Sequence, residues 1–229
     1  MAERLPRIDP LAAPLLGRDA HLPAVASERL EARALRQRFS APPDWRPEFT
    51  GDGRPIGRPP AAASVLLPLV EREEGLSLLL TRRTDHLRDH AGQISFPGGR
   101  REPEDADAAA TALRETEEEI GLMRQYIEII GTLPHYTTVT NFVVTPVVAL
   151  VAPGFDLAPD PFEVAEAFEV PLAFLMNPAH HQRHALEWQP GDRREFLAMP
   201  WHPPGRPQPH FIWGATAAML RNFYRFLSA

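Results

Sequence analysis

The stretch Arg114–Leu122 constrains the fold of this chain more than any other, because it places four glutamates at the end of a helix. The alanine-rich run 105–113 predicts the helix body, and Gly121 supplies a left-handed stop. The carboxylates therefore collect in the last turns, where the helix dipole is already negative. Like charges three or four residues apart cost about 0.2–0.5 kcal/mol per pair. A divalent cation would reverse the sign of this interaction, and ligands that are all oxygen suit hard ions such as Mg²⁺ or Mn²⁺.

The helical wheel separates an apolar face from an acidic one. At about 100° per residue, the expected core face consists of the residues on one stripe, namely Ala109, Leu113, Thr116 and Ile120. Glu115, Glu118 and Glu119 fall within an arc of about 100° on the largely opposite side, and Glu117 lies outside that arc. The charges alone allow two interpretations: a metal site built on three glutamates, or an acidic helix face that is simply solvated.

The residues upstream of the helix add a family resemblance. Ser95–Gly99 is a glycine-ended loop, and with Arg114–Leu122 it resembles the signature of the Nudix hydrolases: Gly, five residues, Glu, seven residues, then Arg-Glu-apolar-any-Glu-Glu-any-Gly-apolar. The second part matches at every specified position except Thr116, where an aliphatic residue is usual. Asp105 stands where the pattern has its first Glu, and eight residues rather than seven separate it from Arg114. The resemblance implies an α/β fold, the Nudix-type α/β/α sandwich with a mixed central sheet.

A second motif precedes the first and is typical of one branch of that family. Leu79–Thr84, Arg88, Gly92 and Phe96–Gly99 have the spacing of the extra motif of the coenzyme A pyrophosphatases, which they resemble except at Thr84. The resemblance implies a metal-dependent hydrolase that cleaves the pyrophosphate bond of coenzyme A or its thioesters to adenosine 3′,5′-bisphosphate and 4′-phosphopantetheine species. One alternative is a Nudix pyrophosphatase acting on ADP-ribose, a dinucleotide or a nucleoside triphosphate. Another is a catalytically silent Nudix domain that only binds its ligand.

The resemblance also implies roles for the residues that match. It implies Mg²⁺ or Mn²⁺ as the cofactor, with Glu115 and Glu119 as ligands and Glu118 as a third ligand or the catalytic base. Arg114 is expected to orient a glutamate, and the alternative for it is a plain ion pair with Glu118. Glu163 is the candidate base outside the motif, and the alternative for it is a solvated carboxylate beside a strand. The residues expected to bind substrate are Arg83, Arg88, Gly98 and Gly99. The glycines would let the backbone approach the metal or the phosphates closely.

Other polar and aromatic residues allow more than one interpretation. Glu166 lies in the same segment as Glu163 and is a second candidate for the base. His180 and His181 follow an Asn-Pro pair, which indicates a surface turn. Three aromatic residues are candidates either for the core or for stacking on an adenine, namely Tyr136, Phe142 and Trp213.

Composition excludes several classes of protein. The 229 residues suit one domain with a sizeable core, and no run approaches the ~18 apolar residues of a membrane span. The chain has no cysteine, and Met1–Arg4 lacks the apolar stretch of a signal peptide, so we expect a cytoplasmic location. The net charge of −6 argues against nucleic-acid binding. The expected partner is a small-molecule substrate, coenzyme A or a related nucleoside diphosphate derivative, without nucleic acid or membrane. A homodimer is left open.

The chain divides unevenly into a proline-rich N-terminal extension, residues 1–60 with one helix at Ser27–Phe39, and a Nudix hydrolase domain, residues 61–229. Runs rich in Val, Leu and Ile predict strands at Ala62–Val70, Leu76–Arg82, Ile127–Pro134, Val143–Val151 and Ala165–Val170. The remaining expected elements are two helices and a hairpin turn, at Pro171–Met176, Gly214–Leu227 and Gln189–Asp192. Strands interrupted by helices fit a mixed sheet between helical layers, which is the α/β class.

Overall fold

The structure, a computed structural model, describes residues 10–52, 59–87, 90–189 and 192–229. The strands are β1 (Leu15–Arg18), β2 (Ala61–Arg72), β3 (Gly75–Arg83), β4 (Ile94–Ser95), β5 (Gly98–Arg100), β6 (Ile127–Thr132), β7 (Tyr136–Thr137), β8 (Phe142–Val151), β9 (Val164–Pro171), β10 (Gln182–Gln189), β11 (Asp192–Trp201) and β12 (His210–Trp213). The helices are α1 (Ala32–Ser40), α2 (Ala108–Ile120), α3 (Leu172–Leu175) and α4 (Gly214–Ser228). The strands and helices predicted from the sequence have counterparts within a few residues, except that the single helix predicted at Ser27–Phe39 is a 3-10 turn at Ser27–Leu30 followed by α1, which begins at Ala32.

The central sheet mixes parallel and antiparallel strands, as predicted. Its order is β4-β3-β2-β8-β6, and β2 pairs with β8 in parallel along its length. The other neighbours are antiparallel, and β5 and β9 add to β2 and β3. Successive side chains of a strand point to opposite faces of a sheet. Leu66 and Val70 of β2 accordingly pack on one side, and Leu67 and Leu69 pack on the other.

Helices cover both faces of this sheet. Ala112 and Ile120 of α2 join the clusters on the side of Leu66, whereas α1 and α4 supply Leu35 and Phe223 to the cluster on the opposite side. The expected α/β/α sandwich is therefore confirmed. None of the helices in the described ranges combines the length and apolar character needed to cross a membrane.

A second sheet, which the sequence pattern does not predict, has the order β1-β10-β11-β12. Its antiparallel β10–β11 pair is the predicted hairpin, although the turn residues 190–191 lie outside the described part of the chain. Strand β1 comes from the N-terminal extension, and α4 contacts β11 and β12. The extension thus packs on the rest of the chain through a strand as well as a helix, while the division at residue 60 stays a prediction.

An ionic cluster ties the extension to α4. Arg221 of α4 is buried and lies 3.2 Å from Asp19 Oδ2 and 2.7 Å from Glu48 Oε2, and Arg183 of β10 pairs with the same two acids. His181 is also fully buried, with Nε2 2.7 Å from the Leu175 carbonyl oxygen. Burial lowers the pKa of His181 to about 4. The surface turn predicted for His180–His181 is therefore wrong for His181, because the chain passes beneath α4 at this point.

The acidic helix α2 begins later than the alanine-rich run suggests. Asp107 caps it, with its side chain accepting from the Ala110 amide at 2.8 Å, so the first helical residue is Ala108. Asp105 lies before the helix, not within it. Gly121 ends the helix with φ of 69°, the left-handed stop that the sequence predicts.

Candidate active site

Two glycines hold the loop before α2 against the central sheet. Gly98 and Gly99 pair with Val65 and Ser64 of β2. A Cβ on Gly98, whose φ is 150°, would lie 2.6 Å from Val65 Cα. A Cβ on Gly99 would lie 2.5 Å from Cδ of Glu115 and 2.8 Å from its Oε1. The lack of a side chain at position 99 is therefore what allows the Glu115 carboxylate to lie against the strand.

Arg114 is fixed by Asp105 and contacts two glutamates. Its Nε and Nη2 donate to the two carboxylate oxygens of Asp105 at 3.1 and 2.9 Å, and Nη2 also donates to the Arg100 carbonyl at 3.0 Å. Its Nη1 donates to Glu115 Oε1 at 2.9 Å and to Glu118 Oε2 at 3.0 Å. Hydrogen bonding from Arg114, above all, keeps the pKa of Asp105 well below its usual range. Asp105, where the chain departs from the usual pattern, is thus the anchor of Arg114.

Glu119 is buried, although the helical wheel placed it away from the core. It is 7% exposed, whereas Ala109 and Leu113 of the expected core face are only partly buried. Its Oε2 accepts a hydrogen bond from the Gly98 amide at 3.1 Å. Burial, reinforced by repulsion from Glu163 and Glu115, raises the pKa of Glu119 to about 7. The core face expected from the helical wheel is wrong at Glu119, because the Gly98 amide at the start of β5 supplies a polar partner inside the protein.

Glu163 reaches the acidic helix from the segment before β9. The Thr84 amide donates to the Glu163 carbonyl at 2.9 Å, and the Asp160 amide donates to the Glu119 carbonyl at 2.9 Å, so both ends of the turn are held. Arg83 lies between the two acids, with Nη1 3.5 Å from Glu119 Oε1 and Nη2 3.7 Å from Glu163 Oε2. The last residues of β3 thereby bring the earlier motif to the acidic helix.

Glu166, the second candidate for the base, is engaged elsewhere. Its carboxylate lies 2.6 Å from Arg206 Nη2 and 3.7 Å from His210 Nε2. His210 in turn stacks on Phe168, with ring centroids 3.7 Å apart. Glu163 and Glu166 are therefore in different surroundings, and only Glu163 contacts the cluster at α2.

The described structure brings most of the predicted site residues together, namely Arg83, Gly98, Gly99, Arg114, Glu115, Glu118, Glu119 and Glu163. Arg88 lies outside the described residues. The role of Asp105 as anchor was missed, because its pairing with Arg114 depends on how the preceding loop turns. The only signal in the sequence for this pairing was that the opposite charges of Asp105 and Arg114 lie nine positions apart.

Phe162 is an exposed aromatic residue next to Glu163 in the chain, whereas the three candidates named from the sequence, Tyr136, Phe142 and Trp213, are buried or partly buried. Tyr136 is 2% exposed and belongs to the core. Phe162 is 64% exposed, immediately precedes Glu163, and has its ring centroid 4.8 Å from that of His86. A flat apolar surface is thus held at the edge of the site.

A cleft of about 750 Å³ opens at the other side of the cluster. Its lining includes Ala61 and Ala62 of β2, the segment 100–104 and Glu115. The guanidinium of Arg100 forms no hydrogen bond or ion pair with the described residues. The cleft is therefore lined both by the acidic Glu115 and by Arg100, an arginine that could bind an anionic ligand.

The carboxylate oxygens of the cluster are suitable ligands for a divalent cation, but they form ion pairs with Arg83 and Arg114. Burial raises the pKa of Glu115 as well as that of Glu119, and neighbouring carboxylates add to both shifts. A hard cation would relieve this repulsion. Across the described ranges, no group of three or more acidic or histidine side chains has the geometry to hold a metal ion. The Glu115–Glu118 and Glu119–Glu163 pairs face Arg114 and Arg83, so metal binding requires these carboxylates to exchange partners.

Comparison with known proteins decides the family. The NUDIX domain matches residues 58–223, which is most of the chain. The chain belongs to the Nudix family. Its relatives include two bacterial proteins called "Uncharacterized Nudix hydrolase NudL". The one from Enterobacter sp. (strain 638) is 40% identical over 160 residues, and the one from Escherichia coli (strain K12 / DH10B) is 41% identical over 162. Each alignment covers 70% of this chain and 79% of the relative.

Solved Nudix structures also resemble this one, at low identity. The Nudix hydrolase RenU from M. smegmatis is 22% identical with a TM-score of 0.43, over 50% of this chain and 73% of RenU. Membership of this family and similarity to these hydrolases indicate that the protein is an enzyme, a pyrophosphohydrolase. Nudix hydrolases generally use divalent metal ions, which agrees with the donor chemistry of the acidic helix.

Proposed function

We propose that this Nudix hydrolase is a coenzyme A pyrophosphatase that uses Mg²⁺ or Mn²⁺. The observation that carries the proposal is the contact of Arg83 with Glu119 and Glu163, at 3.5 and 3.7 Å. Arg83 belongs to the motif that precedes the acidic helix and resembles that of the coenzyme A branch. Arg83, from the motif of the coenzyme A branch, thus contacts Glu119 of the Nudix motif and the candidate base Glu163.

The substrate sets the chemical demands on this site. A pyrophosphate linkage is anionic on both sides of the bond that breaks, so water must approach phosphorus through negative charge. A bound divalent cation neutralises that charge, polarises the phosphoryl oxygens and lowers the pKa of a coordinated water. Glu115, Glu118 and Glu119 would hold this cation. Gly98 and Gly99 are proposed to bind substrate from the pattern of the motif, while the space beside them is filled by Val65 and by the Glu115 carboxylate.

Two carboxylates compete for the role of base. The Glu118 side chain is 61% exposed and Arg114 holds one of its oxygens, whereas the Glu163 side chain is 43% exposed and faces Glu119. We propose Glu163 as the base, because its carboxylate has the weaker contact with an arginine and is freer to accept a proton from water. Replacing Glu163 by Gln should then lower kcat far more than it changes KM. A larger loss of kcat with Glu118→Gln than with Glu163→Gln would instead assign the base to Glu118.

Recognition of the adenosine half would involve exposed groups around the cluster. Phe162 offers a ring on which an adenine can stack, and Arg100, which lines the cleft beside Glu115, could bind an anionic group of the substrate. Arg88 is proposed to bind substrate from the pattern of the motif. A cytoplasmic location remains a proposal that rests on the sequence, and a homodimer stays open.

The test is direct hydrolysis with identification of products. Purified protein is incubated with coenzyme A and either Mg²⁺ or Mn²⁺, and products are separated by chromatography, with Glu119→Gln as the inactive control. ADP-ribose, a dinucleotide and a nucleoside triphosphate are assayed beside it, since only coenzyme A releases adenosine 3′,5′-bisphosphate. Absence of that product with both metals sinks the substrate assignment. Hydrolysis of one of the other compounds would transfer the proposal to it, and no hydrolysis at all would indicate a silent binding domain.

A further inference from the structure

Two arginines neutralise the acidic cluster, but they are held very differently. Arg114 donates to both oxygens of Asp105 and to the Arg100 carbonyl, and these three bonds do not involve the glutamates that it contacts. Charge-assisted, bidentate bonds of this kind fix a guanidinium in place. Arg114 therefore stays where it is when its glutamates change partner.

Arg83 has no such anchor within the described part of the chain. Its guanidinium contacts only Glu119 and Glu163 among the described residues, at 3.5 and 3.7 Å, which are ion-pair rather than hydrogen-bond distances. The side chain leaves β3 next to a register shift between Arg82 and Arg83, and it is 25% exposed. A long, flexible side chain with two loose contacts can turn away at small cost.

A divalent cation held by Glu119 would compete with the Arg83 guanidinium for that carboxylate. A doubly charged ion on Glu119 would lie within a few ångströms of Arg83 and would repel it. Phosphates attract both cations, so a guanidinium displaced from Glu119 is close to a new anionic partner once substrate is bound. The same side chain can thus serve the metal-free and the substrate-bound states in turn.

We propose that Arg83 is the counter-ion of the metal-free site: it neutralises Glu119 and Glu163 until a divalent cation replaces it, and then binds a substrate phosphate. This inference rests on the proposed function, since it takes Glu119 as a metal ligand. It predicts two opposite effects for a single variant. Removing Arg83 should strengthen metal binding and weaken substrate binding together, whereas loss of a merely structural residue would weaken both.

The experiment measures Mn²⁺ affinity directly, by calorimetry on the full-length protein without substrate. Wild type, Arg83→Met and the control Arg82→Met are compared at about pH 9, where glutamates are ionised. Arg82 is the matched control because it lies one position away and its ion pair is with Asp85. We expect Arg83→Met to bind Mn²⁺ about tenfold more tightly than wild type, and Arg82→Met to stay within about twofold of it. Arg83→Gln repeats the test if the Met variant does not fold.

The second readout is the KM for the pyrophosphate substrate at saturating Mn²⁺. We expect Arg83→Met to raise KM by about tenfold or more, because a phosphate contact is lost, and Arg83→Lys to recover part of it. Unchanged or weaker Mn²⁺ binding by Arg83→Met would overturn the inference while leaving the proposed function intact. Failure of wild type itself to bind Mn²⁺ would overturn the metal site, and the inference with it.

Discussion

Replacing Gly99 by alanine tests the geometry of the acidic cluster with one carbon atom. The added Cβ would lie 2.5 Å from Cδ of Glu115 and 2.8 Å from its Oε1, whereas ordinary contacts begin near 3.4 Å. The carboxylate must therefore move by about 1 Å. It is the flexible end of a side chain, and the φ angle of Gly99 is not in the left-handed region. The protein should fold normally, with its free energy of unfolding changed by less than about 1 kcal/mol.

Activity should respond far more than stability does. A displacement of about 1 Å in a positioned catalytic group lowers the rate on the order of 10²-fold, equivalent to about 2.7 kcal/mol in the activation free energy. The assay is steady-state hydrolysis of the pyrophosphate substrate at saturating Mn²⁺, with thermal unfolding of the same samples. We expect kcat of Gly99→Ala to fall by about this factor at an almost unchanged Tm.

Two other glycines provide the controls. Gly17 lies in β1, and a Cβ there would meet nothing within 4 Å, so Gly17→Ala should change neither kcat nor Tm. A Cβ on Gly98 would lie 2.6 Å from Val65 Cα, a backbone atom that cannot move alone, so Gly98→Ala should lower Tm as well as activity. A Gly99→Ala enzyme with wild-type kcat would refute the reasoning. It would show that catalysis does not depend on the position of the Glu115 carboxylate.

Further predictions concern four other residues. The pKa of buried His181 falls from 6.5 to about 4 on folding. As pH drops, the unfolded chain therefore binds a proton at His181 before the folded protein does. The free energy of unfolding should decrease by about 1.4 kcal/mol for each pH unit from pH 6.5 down to about pH 4. Denaturant titrations of wild type and His181→Gln should show this slope only in wild type; parallel profiles would contradict it. Asp105→Asn should release Arg114 and lower kcat more than it changes KM, and an unchanged kcat would show that Arg114 needs no anchor. Glu166→Gln should retain near wild-type kcat, in contrast to Glu163→Gln, since Glu166 pairs with Arg206. Phe162→Ala should raise KM with little change in kcat, as measured with coenzyme A, and an unchanged KM would exclude stacking on Phe162.

The strands of the central sheet and the ends of its helices were predictable because they depend on local signals. β2 and β8 are continuous apolar runs, as expected of strands buried on both faces, and Gly121 marks the end of α2 by its left-handed conformation. The close spacing of Glu115, Glu118 and Glu119 is likewise a property of helical periodicity. Four-residue β1 carries no comparable pattern, and its partner β10 lies more than 160 positions away in the chain.

The amino-acid order was sufficient for the α/β sandwich, the acidic helix and the two family motifs, since each is encoded in periodicity or spacing along a short segment. The folded arrangement was needed to bury Glu119 and His181, to seat Arg114 on Asp105, and to bring Arg83 and Glu163 to the same carboxylate. These contacts join residues from separate strands and loops. Strand pairing and the turns between elements determine which of those side chains meet, and no single segment of the chain contains that information.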